Sequence, residues 1–354
     1  GNGGGIWTGA ALTLDDNFAV ISNSALKGNG GGIFASGTGA SLTLDGAIIG
    51  GSAANANTAL NGGGVALASS AKLAMINGAV ISHNTATTDG GGIYADGGAV
   101  SLASGSIRHN TATSGNGGGL WTTRSLTLDS GVSVHLNTAS NGSGGGIYAT
   151  GATAAVTLNG ATVGGSAGNG NSAVNGGGVA LVSGAKLAMT AGATISYNTA
   201  TNRGGGIFAD NADSTVTVTD GFIDRNSAAY QGGGIYVGNG AEVNLTDTSV
   251  SHNSVSGSTS GGGGIIVAGG AVTITGASHI DGNTVANTAG STAETGGGAL
   301  LLKSGSVTIT GTTTLSNNVA NNGSAIKTYG GVLTVGGNTG DHIVIDGNTN
   351  GGGH

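Results

Sequence analysis

Residues 93–119 read IYADGGAVSLASGSIRHNTATSGNGGG, and the fold follows from this stretch. It holds three short segments with alternating patterning, separated by turns of small residues: Ile93-Tyr94-Ala95, Val100-Ser101-Leu102 and Ile107-Arg108-His109-Asn110, the last continuing into Thr111-Ala112. Alternation puts Val100 and Leu102 on one face and Ser101 on the other. A strand this short buries nothing alone. A stack of copies does, with about 1.5–3 kcal/mol available for each aliphatic side chain it removes from water.

The copies are present. A glycine-rich box of the type Gly-Gly-Gly-Ile recurs twelve times, with the Ile place held by Ile6, Ile33, Val65, Ile93, Leu120, Ile147, Val179, Ile207, Ile235, Ile265, Ala299 and Ile326. The steps between them run from 27 to 34 residues. A period in this range marks a repeat architecture. The apolar-x-apolar pair of the second segment returns in every copy, from Leu12/Leu14 to Leu333/Val335. Residues 33–93 align without gaps on 147–207, which places an internal duplication at 33–146 and 147–264.

The third segment ends in an Asn in every copy: Asn23, Asn57, Asn84, Asn110, Asn137, Asn171, Asn198, Asn226, Asn253, Asn283, Asn318 and Asn348. One Asn at the same turn of every coil predicts a structural ladder, with amides bonded to their equivalents about 4.8 Å above and below. An aliphatic residue stands three places before the Asn in ten coils. In the two 32-residue coils an insert, Gly50 to Ala56 or Gly164 to Gly170, separates Ile49 and Val163 from it and is expected to bulge outward. The expected fold is all-β: a single-stranded, right-handed parallel β-helix of about twelve coils of 27–34 residues, three short strands per coil, continuous over 1–354. The rod would be roughly 58 Å long.

Composition agrees. The chain has 78 Gly and no Pro, as suits a backbone whose N–H groups nearly all join ladders. It has no Cys, so disulfides do not hold it together. Charged residues are only 7%, yet 37% hydrophobic residues in strict register argue against disorder. A net charge of −7 over twelve repeats leaves no footprint for nucleic acid. No apolar run reaches the roughly 18 residues of a transmembrane helix. The chain opens at Gly1-Asn2-Gly3-Gly4-Gly5 inside one box and closes at Gly351-Gly352-Gly353-His354 inside another, the pattern expected of a piece of a longer repeat protein.

The Gly-Gly-Gly-Ile box followed by Ile-x-x-Asn-Thr-Ala resembles the repeats of bacterial adhesin-like right-handed β-helix proteins over the whole chain. It is also similar to the polymorphic outer membrane proteins of chlamydial type, whose paired motifs are Gly-Gly-Ala-Ile and Phe-x-x-Asn. Gly323-Ser324-Ala325-Ile326 is nearest that form. The absent Cys and the preference for Ile over Phe favour the broader class. The resemblance implies a surface-exposed or secreted bacterial protein, often autotransported.

Four outward columns are candidates for chemistry. The residue after the Ile place is aromatic in seven coils, Trp7, Phe34, Tyr94, Trp121, Tyr148, Phe208 and Tyr236, interrupted by Ala66 and Ala180. Such a row either stacks on itself over the glycine turn or offers faces to sugar rings or a partner protein. Thr stands between the second-segment apolars in eight coils, among them Thr13, Thr43 and Thr127; a lone Thr column is better read as a solvated strand face than as an ice-binding array. His83 and His109 share a column with His252, but no third ligand completes a metal site. Asp15 and Asp45 are column neighbours at a spacing near that of a retaining glycosidase pair, at a turn where Asp is common anyway.

The expectation is a non-enzymatic extracellular rod without catalytic residues, metal or cofactor: an adhesin stalk or fibre that meets glycans or surface proteins of a host or neighbouring cell. The alternatives are a polysaccharide-degrading β-helix enzyme and a subunit that stacks end to end into filaments.

Overall fold

The computed structural model describes residues 1–257, 261–286 and 296–351; Gly352-Gly353-His354, read above as the start of another box, lie outside them. The described residues form a nearly all-β parallel solenoid of about eleven turns. The one helical element among them is a single 3₁₀ turn, Ala53–Asn55, inside the first insert. Every strand pairing in the two sheets is parallel and joins one coil to the next.

The coil of residues 93–119 shows the register. Ile93 lies between Val65 and Leu120, and Val100 and Leu102 lie between Leu73 and Met75 below and Leu126 and Leu128 above. Ile107 lies between Ile81 and Val134. All are buried, and with their equivalents they form one dry column of aliphatic side chains along the axis. The third segment breaks at Asn110. Its Thr111-Ala112 half joins a separate sheet of twelve strands, while the first three ladders merge into one sheet of thirty-two strands through long strands such as Ala99–Arg108.

The break is what lets the Asn turn inward. Asn110 is fully buried. Its Nδ2 donates to Asn137 Oδ1 at 3.0 Å and to the Ile81 carbonyl at 2.9 Å. Its backbone N–H donates to the same Asn137 Oδ1 at 3.0 Å. Its Oδ1 accepts from the backbone N and the Nδ2 of Asn84 at 3.0 and 3.1 Å. Two donors and two lone pairs are all that a carboxamide has, and all four are used. Nδ2–Oδ1 bonds of 2.9–3.1 Å run without a gap from Asn23 to Asn348.

The glycine box packs against this corner, and each glycine answers a different demand. Gly90 has φ +64°, where a side chain is strained. A Cβ on Gly91 would lie 2.5 Å from the Thr111 backbone, and one on Gly92 would lie 3.0 Å from Asn110 Nδ2. Box and Asn are thus two halves of one contact between the first and fourth ladders.

One placement differs from the sequence reading. Leu300, not Ala299, pairs with Ile265 and Ile326. Ala299 takes the place of the third glycine, as the Ile265 N–H to Ala299 carbonyl bond at 2.9 Å makes plain. The inserts leave the core intact: Ile49 still pairs with Ile81 and Val163 with Ile195, and the chain leaves at Gly50 and Gly164 before rejoining at the Asn. Residues 165–169 of the second insert are exposed.

Candidate functional site

The aromatic residues after the Ile place share one column, but they are not one open surface. Trp7 pairs with Phe34, and Tyr94, Trp121 and Tyr148 follow one another in register. Tyr94 and Trp121 stack with centroids 4.5 Å apart, Trp121 and Tyr148 at 6.5 Å, and Phe208 and Tyr236 at 5.1 Å. Only Trp7 is largely open, at 60% exposure; Phe34, Phe208 and Tyr236 are buried and present no free ring face. The column continues through Ile266 and Leu301 as an apolar cluster outside the main core. Arg203, from the fourth ladder, covers Tyr236 with its guanidinium 5.1 Å from the ring centroid. Burial pushes the Tyr94 phenol up to about 12, helped by Asp96 and then Asp89, and burial raises Tyr148 and Tyr236. These hydroxyls stay protonated at neutral pH.

A second column lies one residue before the ladder Asn. Its backbone is left-handed: His83 has φ 60°, His109 55°, Leu136 56°, Tyr197 60°, Arg225 52° and His252 52°. Gly or Asn is the ordinary occupant of such a corner, and Gly282, Asn317 and Gly347 fill it further along. Bulky residues there are strained, and they follow each insert in three successive coils. No pattern of apolar residues reveals this. The signal available in the sequence is the residue type before each Asn, once that Asn is known to turn a corner.

After the first insert the column carries His83 and His109, stacked at 4.5 Å. Burial lowers both, the His109 charge lowers His83 further, and Arg108 works in the same sense on each. His135, one place off, is lowered by burial and then by Arg108 and His109. In all three the shift favours the neutral imidazole. After the second insert the column carries Tyr197, Arg225 and His252, which line a shallow groove of about 470 Å³ bounded by Gly165. Asp224 also lines it, paired with Arg225 and 3.1 Å from His252 Nδ1. Among the described residues no three His, Asp or Glu side chains stand close enough to share a metal ion.

The structure does not bring Asp15 and Asp45 to a common partner. Asp15 Oδ1 accepts from the Asn17 N–H within its own turn at 3.0 Å, and Asp45 Oδ1 accepts from Asn77 Nδ2 in the next coil. The Thr column is in register through Thr13, Thr43, Thr127 and Thr157, with Ala74 and Ser101 between Thr43 and Thr127 and Ala188 between Thr157 and Thr217. No helix among the described residues is long and apolar enough to cross a membrane. The chain matches no protein-family model, no curated protein and no solved structure.

Proposed function

We propose that the chain is a non-enzymatic rod of a bacterial surface or secreted protein, which projects and makes contact with glycans or surface proteins of another cell. The observation that carries this reading is the unbroken Asn ladder, which ties coil to coil from Asn23 to Asn348 with the inner register unchanged even where the two inserts leave the coil. A uniform interior of this kind suits a body whose property is length and stiffness. The likeness of its motifs to adhesin-like repeats supports the bacterial surface. The outward corner columns, which vary from coil to coil while the interior does not, are the surfaces on which contact is made.

The test is a deletion in register. Removing 33–146 joins Gly32 to Ile147, so the box is preserved and four coils are lost. A rod shortened by roughly 19 Å is expected, still folded and keeping the cell or glycan binding of the parent, because the corner that follows the second insert is untouched. Scattering gives the length, and a cell-binding assay gives the function. A folded variant that loses a polysaccharide-cleaving activity of the parent would overturn the reading.

A further inference from the structure

We infer that the outward corner at Tyr197, Arg225 and His252 is a saccharide-binding groove for a short run of neutral hexose units lying along the rod axis. The inference rests on the reading of the chain as an adhesive rod, and it names a site and a ligand class for that rod.

The backbone supplies the first reason. Three successive coils hold a Tyr, an Arg and a His at φ 52–60°, where Gly282, Asn317 and Gly347 serve the same turn later in the rod. Strain at side chains that a glycine would relieve is a mark of sites where the side chain is needed. The second reason is shape. A volume of about 470 Å³ lies within the roughly 300–1,000 Å³ of small-ligand sites. A folded protein partner needs roughly 1,200–2,000 Å² of buried surface with an apolar centre. Here one open ring, Phe222 at 45% exposure, stands among polar groups.

The third reason is a polar frame held in place before anything binds. Asp224 Oδ1 accepts from Ser251 Oγ at 2.9 Å and faces His252 Nδ1 at 3.1 Å, and its other oxygen receives Arg225 Nη1. The Arg225 guanidinium carbon lies 5.8 Å from the centre of the Tyr197 ring, and both residues line the groove. Arg225 and His252 are each about half exposed, so donors remain on the open side of a fixed carboxylate. The fourth reason is an unmet bond. Ser196 lines the groove, is only 3% exposed, and its Oγ has no partner. Its equivalent in the duplicated block, Ser82, is fully buried and equally without one. Buried hydroxyls are normally satisfied, and this one leaves an unused bonding capacity in the groove wall of the free rod.

A hexose fits the shape and the polar frame. Its C–H face lies on Phe222, and adjacent hydroxyls bridge Asp224 and Arg225. The spacing of coils, about 4.8 Å, is close to the length of one pyranose unit, so successive coils meet successive units. A neutral sugar is favoured over an acidic one because Arg225 is already paired with Asp224 and the chain carries a net charge of −7.

The experiment is a calorimetric and NMR titration of the full chain with neutral tetrasaccharides of glucose, galactose and mannose, and with tetragalacturonate as acidic comparator. The same titrations are run on Arg225→Gly/His252→Gly and on Phe222→Ser. The glycine variant suits the left-handed corner, so it is expected to melt no lower than the parent while losing at least tenfold in affinity. Phe222→Ser, at an exposed ring, is expected to weaken binding with the melt unchanged. Absence of binding by every neutral tetrasaccharide at millimolar concentration overturns the groove, as does tighter binding of tetragalacturonate or an affinity unchanged in both variants. Small-angle scattering on the same samples separates the two claims: a full-length rod that binds nothing fails the groove alone, and a globular particle fails the rod as well.

Discussion

At each coil two adjacent residues face opposite ways, and Asn110 and His109 show what that means. Asn110 is fully buried, has all four side-chain hydrogen-bonding positions filled, and has an Asn above and below it in the same role. His109 is exposed, sits at φ 55°, and has a His below it and a Leu above it in the same column. The inner position cannot vary, because each amide completes the bonds of its two neighbours and a change in one coil leaves groups unpaired in two others. The outer position can vary, because its backbone is held by the Asn beside it and its side chain touches little that the fold needs. The rod thus separates what holds it together from what it shows to its surroundings at a distance of one residue.

The largest expected effect breaks the inner half of the comparison. Asn137→Leu removes the acceptor of the Asn110 Nδ2 and backbone N–H and the donor to the Ile107 carbonyl in a dry interior, and leaves Asn171 Oδ1 with only the bond from the backbone N–H of residue 137. At about 1–3 kcal/mol for each unmet buried group, a loss of roughly 4 kcal/mol is expected in urea denaturation. Gly91→Ala comes next. Its Cβ would lie 2.5 Å from the Thr111 backbone, so the first and fourth ladders must part, at a cost of about 3 kcal/mol in the same assay. The outer half is sharpened by a change of opposite sign. Tyr197→Gly relieves a left-handed residue and is expected to stabilise the rod by about 1 kcal/mol.

A smaller effect depends on pH. His83, His109 and His135 are held below their ordinary value of about 6.5, so the unfolded chain takes up protons first as pH falls. Their contribution is complete above about pH 6.5 and is lost as pH falls from there through the lowered folded values. His83→Asn/His109→Asn is expected to flatten the melting temperature between pH 6.5 and 5, and the slope is the readout.

Much of this was legible in the sequence because the period is strict. The second-segment pairs and the Asn positions follow from counting, and the structure places them in the register that counting implies. Three things were not legible, each for a physical reason. Ala299 is small enough to stand for a glycine, so only the pairing of Leu300 with Ile265 settles the frame there. Alternation puts Phe208 and Tyr236 outside the core, yet Arg203 from another ladder covers Tyr236, and contacts between ladders leave no trace in a period. The corner strain depends on backbone angles set by the inward turn of the Asn, so residues as ordinary as Tyr197 and Arg225 gave no sign until that turn was seen.

The most direct test of this separation is a pair of unfolding curves in one coil, Asn110→Ala and His109→Gly, each measured against the parent. The account predicts opposite signs: the first lowers stability by several kcal/mol as its neighbours lose their partners, and the second raises it slightly as strain is released. Curves that move in the same direction, or an Asn110→Ala rod as stable as the parent, would contradict it.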